Sequence, residues 1–196
     1  MNNLLLERHR RLVQLLDQRL RTIRSRHAAH LRCAPGCAGC CHGLFDVSLS
    51  DAAMVREGLS ELPAETRAAV LERALPIQRS LEAAFPELDP PYLLAGISED
   101  RVDQFIDQVG KARCPFLDGK DSCLIYQYRP LACRLEGIPM VDAKDGLFAD
   151  WCELNYKGGL TAQLIDDLRL DYYEIEEIEG GPTVFIPSVI VCPAFP

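Results

Sequence analysis

No apolar run in this 196-residue chain approaches the roughly 18 residues that a membrane-spanning helix needs. The opening stretch contains Leu4, Leu5 and Leu6 but turns charged at once. No targeting segment is therefore expected, and the chain reads as cytoplasmic, without a membrane partner. An excess of basic charge is also missing. The formal net charge is −8, which argues against nucleic acid as a main partner, because phosphate binding needs a basic face. There is no Gly-rich strand–helix turn for a nucleotide-like cofactor, no P-loop, no nucleophile elbow and no Ser-His-Asp arrangement. Internal repeats and low-complexity segments are absent too. What remains is 48% hydrophobic residues, enough for a core and too many for a disordered chain. The length suits one domain over 1–196.

The charge that is present is uneven. Residues 1–32 carry Arg8, Arg10, Arg11, Arg19, Arg21, Arg24, Arg26 and Arg32. Residues 166–179 carry Asp166, Asp167, Asp171, Glu174, Glu176, Glu177 and Glu179. A basic head could dock on this acidic tail or on another chain, although two solvated faces are the commoner meaning of such runs.

The apolar spacing predicts a mainly α, small α+β fold. Leu5, Leu12, Leu16, Leu20, Ile23 and Leu31 mark a long amphipathic helix over 3–31, ended by Pro35 and Gly36. Ser48-Leu49-Ser50-Asp51 has the form of a capping box for a helix near 49–59. A second helix is expected from about Pro63 to Ala84, kinked or split at Pro76. Ser98-Glu99-Asp100 could start another, with Val102, Phe105, Ile106 and Val109 on one face. The segments 114–117 and 123–126 read as a small hairpin around the turn Asp118-Gly119, and Pro130 should open a short helix carrying Cys133. Thr183–Ile186 and Val189–Val191 look β-like. Helices are thus expected to pack around a cysteine-cluster core over 33–152, with a C-terminal extension over 153–196.

Nine cysteines are many for such a chain. A reducing cytoplasm would not keep them as disulfides, and an odd number fits a closed disulfide framework poorly. Cys33, Cys37, Cys40 and Cys41 fall within nine positions; Cys114, Cys123, Cys133 and Cys152 follow, and Cys192 stands apart. Metal ligation explains this better than buried thiols. Cys37 and Cys40, two residues apart, can chelate one ion. Cys40 and Cys41 are adjacent, so their side chains diverge and serve two metals, two irons of one cluster, or one metal and one core position. Eight thiolates suit two four-ligand centres; the alternative is one four-cysteine centre with the rest buried or redox-active. Zinc and iron both accept four thiolates. A single Cys-x2-Cys knuckle, where zinc ribbons show two, tilts the reading toward iron–sulfur. Arg32, Arg113, Arg129 and Arg134 lie near the cysteines and could donate N–H bonds to sulfur. His42 follows Cys41 and is a candidate to replace a thiolate, while His27 and His30 share a helix face. Tyr126 and Tyr128 could pack beside the metal. Cys192 is expected to be structural.

The cysteine run, then Cys114-Pro115-Phe116-Leu117, then Cys123-x-Ile125-Tyr126-x-x-Arg129-Pro130-x-x-Cys133-Arg134 resembles the YkgJ-type CxxCxxCC family. Its members are described as zinc- or iron-chelating, often as iron–sulfur proteins. The resemblance implies metal ligands at Cys33, Cys37, Cys40, Cys41, Cys114, Cys123 and Cys133, with Cys152 a looser match. The first spacing is three residues here where the family has two. A similar cysteine region occurs in flagellin lysine N-methylases, for which this chain is short.

Three functions follow as expectations. The first is a protein holding an iron–sulfur cluster, of the four-iron four-sulfur kind, with a redox or electron-transfer role and a protein partner. Arg129 and Arg134 would assist cofactor binding. The second is a structural Zn²⁺ interaction module. The third is an enzyme whose cluster acts in catalysis, with His42 as the local non-cysteine group.

Overall fold

A computed structural model describes residues 3–34, 36–149, 151–172, 175 and 180–193. The fold is mainly α with short strands, as the apolar periodicity predicts. Among the described residues, no helix is long and apolar enough to cross a membrane. Contacts between Cα atoms group the chain into two compact units, each assembled from separated stretches. The first contains residues 36–130 and 181–196, the second residues 2–35 and 131–180.

In the first unit, strand β1 (Asp46–Ser48) leads directly into α2 (Leu49–Glu61). The Ser48 hydroxyl accepts the Asp51 N–H at 3.1 Å, so the expected N-cap is formed. Helix α3 spans Ala64–Ala84 without interruption, although it contains Pro76. The proline removes one helical N–H, but Val70, Ala74, Gln78 and Leu81 are buried on both sides of it and hold the helix as one element. Helix α4 covers Glu99–Val109.

The last part of this unit departs from expectation. Thr183–Phe185 forms a strand, here β2, antiparallel to β1 with Val47 opposite Val184. Val189–Val191, expected to be β-like, lies in helix α5 (Ile186–Val191). Pro187 is the reason: it cannot donate to a strand ladder, and its fixed φ suits the first turn of a helix. The Ser188 hydroxyl donates to Gln78 Oε1 of α3 at 2.8 Å in a buried position. Val47, Val55, Val70, Phe116, Val184 and Val189 meet in the core, and Cys114 and Cys123 pack against it.

In the second unit, α1 covers Asn3–Arg26 and buries Leu12, Val13, Leu16, Leu20 and Ile23. The helix expected to continue to residue 31 stops earlier, and Ala28–His30 forms a 3-10 turn. His27 leaves helical geometry (φ −103°, ψ 21°) while its ring is held by Tyr156 and Asp167. Pro35, expected to end the helix, lies outside the described residues. A short helix, α6, covers Leu131–Leu135 and carries Cys133, as expected. Sequence reasoning missed a three-stranded sheet. Strand β3 (Met140–Asp142) pairs antiparallel with β4 (Gly146–Ala149) and parallel with β5 (Arg169–Leu170). Helix α7 (Ala162–Leu168) precedes β5.

The basic head does meet part of the acidic segment within this unit. Asp167 receives Arg19 through its carbonyl at 2.8 Å, His27 at 3.2 Å and Arg26 at 3.6 Å. Glu174, Glu176, Glu177 and Glu179 lie outside the described residues.

Gly58 of α2 faces Tyr128 so closely that an added Cβ would stand 2.8 Å from the Tyr128 Cβ and ring. Overpacking there costs about 1–3 kcal/mol, against about 1 kcal/mol gained in helix propensity. Gly58→Ala is therefore expected to lower stability despite the better helix former, measured by urea denaturation.

Candidate metal centre

Nine cysteines lie among the described residues, none in a disulfide. The first unit holds Cys37, Cys40, Cys41, Cys114, Cys123 and Cys192; the second holds Cys33, Cys133 and Cys152.

In the first unit the cysteine loop begins at Gly36, whose φ of +85° a β-carbon would strain. Cys37 and Cys40 are exposed and Cys41 is half-buried. Gly39–Cys41 is a 3-10 turn, with the Cys41 N–H on the Ala38 carbonyl at 2.9 Å. His42 Nδ1 donates to the same carbonyl at 2.8 Å, so its proton sits on Nδ1. This loop is tied to the next cysteine segment by backbone. His42 and Arg113 form an antiparallel bridge, and the Cys114 N–H donates to the Cys41 carbonyl at 2.8 Å.

The segment 114–126 is the expected hairpin in reduced form. A single bridge joins Leu117 to Cys123, and the Leu124 N–H reaches the Phe116 carbonyl at 2.9 Å. Tyr126, expected to end the strand over 123–126, instead opens a 3-10 turn (Tyr126–Tyr128). The turn is closed by Asp118, whose Oδ1 accepts the N–H groups of Lys120 (2.8 Å) and Ser122 (2.9 Å). These bonds, Ser122 first, hold its carboxyl below the usual range. Arg113 clasps the turn from outside. It donates to the Leu117 carbonyl at 3.0 Å, to the Asp118 carbonyl and to Asp121 Oδ1 at 2.9 Å. Arg73 of α3 donates to the Pro115 carbonyl at 2.8 Å, a contact without a sequence signal.

Burial pushes the Cys114 thiol up to about 11, and a neighbouring Cys123 thiolate adds to the rise. Arg113 and Arg73 oppose it. Burial raises the Cys123 thiol as well, with Arg129 acting against it. The effect of Cys123 on Cys114 marks the two thiols as electrostatic neighbours. In the metal-free chain both are protonated at neutral pH, so a metal binding them releases protons.

In the second unit, Cys33 is exposed, while Cys133 and Cys152 are half-buried. Cys33 and Cys152 both approach Gly137, which has φ +85°. A β-carbon at 137 would stand 3.5 Å from Cys33 Sγ and 3.7 Å from Cys152 Cβ. Asn155 is buried beside them and donates through Nδ2 to Cys33 Sγ at 3.3 Å. Sequence reasoning did not find Gly137 or Asn155. Next to this pocket, buried His27 bonds the Tyr156 hydroxyl at 2.9 Å, and exposed His30 stacks on the Tyr156 ring at 5.6 Å. Burial pushes the Tyr156 hydroxyl up to about 12.

The arginines serve varied ends. Arg134 is buried and donates to Asp17 Oδ2 of α1 at 2.5 Å, tying α6 to α1. The Arg129 guanidinium lies 3.8 Å over the exposed Tyr126 ring, and the Tyr128 hydroxyl donates to Glu61 at 2.5 Å. The Arg32 N–H bonds the Asn155 side chain at 2.7 Å. Cys192 is buried at the end of α5, in keeping with a structural role.

The chain thus joins Cys41 to Cys114 through backbone, Cys114 to Cys123 through a hairpin, and Cys33 to Cys152 across Gly137. Among the described residues, no three His, Cys, Asp or Glu side chains converge closely enough to hold one ion. The donors nonetheless fit a zinc or iron ion chemically. They are soft sulfur ligands, most of them on loops and turns and Cys133 on α6, and the buried Asn155 contacts one of them.

A family model described as CxxCxxCC, "Putative zinc- or iron-chelating domain", matches residues 32–153. The chain belongs to this family. The matched region includes eight of the nine cysteines and leaves out Cys192. No curated protein and no solved structure matches the chain.

Arg113 is exposed enough to be replaced without opening the core, yet it closes the turn between Cys114 and Cys123. Arg113→Ala is expected to weaken zinc or iron(II) affinity by about ten-fold, the lower end for loss of a supporting residue. Competition with a chromophoric chelator measures it.

Proposed function

We propose that this protein carries iron as an iron–sulfur cluster, of the four-iron four-sulfur kind, and passes electrons to a protein partner in a reducing cytoplasm. Cys37, Cys40, Cys41, Cys114 and Cys123 are the ligands offered by the first unit. Cys33, Cys133 and Cys152 are those offered by the second. Arg129 assists beside Cys123, and Arg134, next to Cys133 in sequence, sets α6 through its bond to Asp17.

One observation carries the reading. The backbone clasp between Cys41 and Cys114 sets an exposed cysteine loop against a partly buried thiol pair. The first unit then offers five thiolates, enough for the four that either a tetrahedral zinc ion or a four-iron cluster takes. A cluster uses several irons, so the adjacent Cys40 and Cys41 need not reach the same one. Exposure of Cys37 and Cys40 supports a shallow cluster, which electron transfer to a docked partner requires. Partly buried Cys114 and Cys123 supply an apolar side that limits solvent access and so tunes the potential.

The test is preparation without oxygen, followed by metal and sulfide analysis and a visible spectrum. A brown protein with iron and acid-labile sulfide is expected, bleaching on reduction by dithionite. A colourless protein with stoichiometric zinc and no iron would overturn the proposal in favour of a structural zinc module. Cys37→Ser is expected to remove most of the bound metal; full metal retention would strike Cys37 from the ligand set.

A further inference from the structure

Asn155 is only 1% exposed, yet its side chain is polar at both ends. Its Oδ1 accepts the Arg32 N–H at 2.7 Å, a group that can only donate. Its Nδ2 donates to the Gly137 carbonyl at 2.5 Å, a group that can only accept. These two backbone partners fix which end of the amide is nitrogen. The second Nδ2 proton then faces Cys33 Sγ at 3.3 Å. The Asn155 backbone is committed as well. Its N–H reaches the Cys152 carbonyl at 2.8 Å, and its carbonyl accepts Trp151 Nε1 at 3.1 Å. One residue therefore ties the segment before Cys33, the bend at Gly137 and the turn at Cys152.

We propose that Asn155 is the positioning residue of Cys33, its side-chain amide donating an N–H···S bond that holds the Cys33 thiolate in ligand geometry, with Gly137 leaving the space that thiolate occupies. The inference rests on Cys33 being a metal ligand. It also accounts for the longer first spacing of the cysteine run. Three residues separate Cys33 from Cys37, one more than the spacing of a chelating knuckle, so Cys33 gains from an orienting contact of its own. A hydrogen bond to charged sulfur is stronger than one to a neutral thiol. The contact therefore favours the metal-bound form and spreads the charge of the thiolate.

The test uses the full chain loaded with NMR-active cadmium, which takes thiolate ligands. The expected result is a through-bond correlation from one Asn155 side-chain amide proton to cadmium across Cys33 sulfur, beside the Cys33 Hβ correlation to the same ion. A Cys33 correlation without the amide one overturns the inference and leaves the proposed ligand set standing. Absence of both, while other cysteines couple to cadmium, removes Cys33 from the ligand set and the inference with it.

A double-mutant cycle separates positioning from mere folding. Asn155→Ala is expected to lower cadmium affinity about ten-fold in the native chain and not at all in the Cys33→Ser background. An equal loss in both backgrounds would mean that Asn155 only supports the fold. If the alanine variant does not fold, the cadmium spectrum of the unaltered chain decides.

Discussion

The bond from the Cys114 N–H to the Cys41 carbonyl is the contact on which the first unit's cysteine chemistry depends. Seventy-odd residues of helix and connector separate its ends, so nothing local brings them together. The bridge between His42 and Arg113 extends it by one residue and sets the direction of both segments. On one side the loop is short, glycine-bearing and open to solvent. On the other, Phe116 and Ile125 anchor the hairpin in the core, which fixes where Cys114 and Cys123 stand. The loop is thus tied to a scaffold that buries an apolar core of its own.

The elements legible in the sequence were those with local chemistry. The Ser48 cap, the α4 face around Phe105 and the α1 stripe from Leu12 to Ile23 all follow from residue spacing. The cysteine spacings by themselves mark the metal-chelating family. What could not be read has physical reasons. The β3–β4–β5 sheet is made of strands of two to four residues, too short to show alternation. Val189–Val191 has strand-forming side chains, but Pro187 and burial against α3 impose a helix. Gly137 and Asn155 are single residues whose contacts with each other and with Cys33 span eighteen positions or more.

The arginines show how proximity in sequence misleads. Arg129 precedes the short helix α6, and Arg134 lies in its last turn next to Cys133. One spreads over Tyr126 near the surface, while the other is buried on Asp17. Arg73, far from any cysteine in sequence, supports the Cys114 segment instead. A guanidinium carries five donors in a rigid fork, so it closes whichever carbonyls the fold presents.

Strand β1 pairs with β2, and β2 ends at Phe185, so the first unit joins an early stretch of chain to a late one. During synthesis the loop of Cys37, Cys40 and Cys41 emerges long before its core can close. At about 5–20 residues per second, that interval is on the order of ten seconds. Through it, nascent thiols are open to oxidants and to whichever metal arrives first. Metal identity is then a matter of timing and cellular supply as much as of affinity. Only when β2 has docked on β1 does the core against which Cys114 and Cys123 pack become complete.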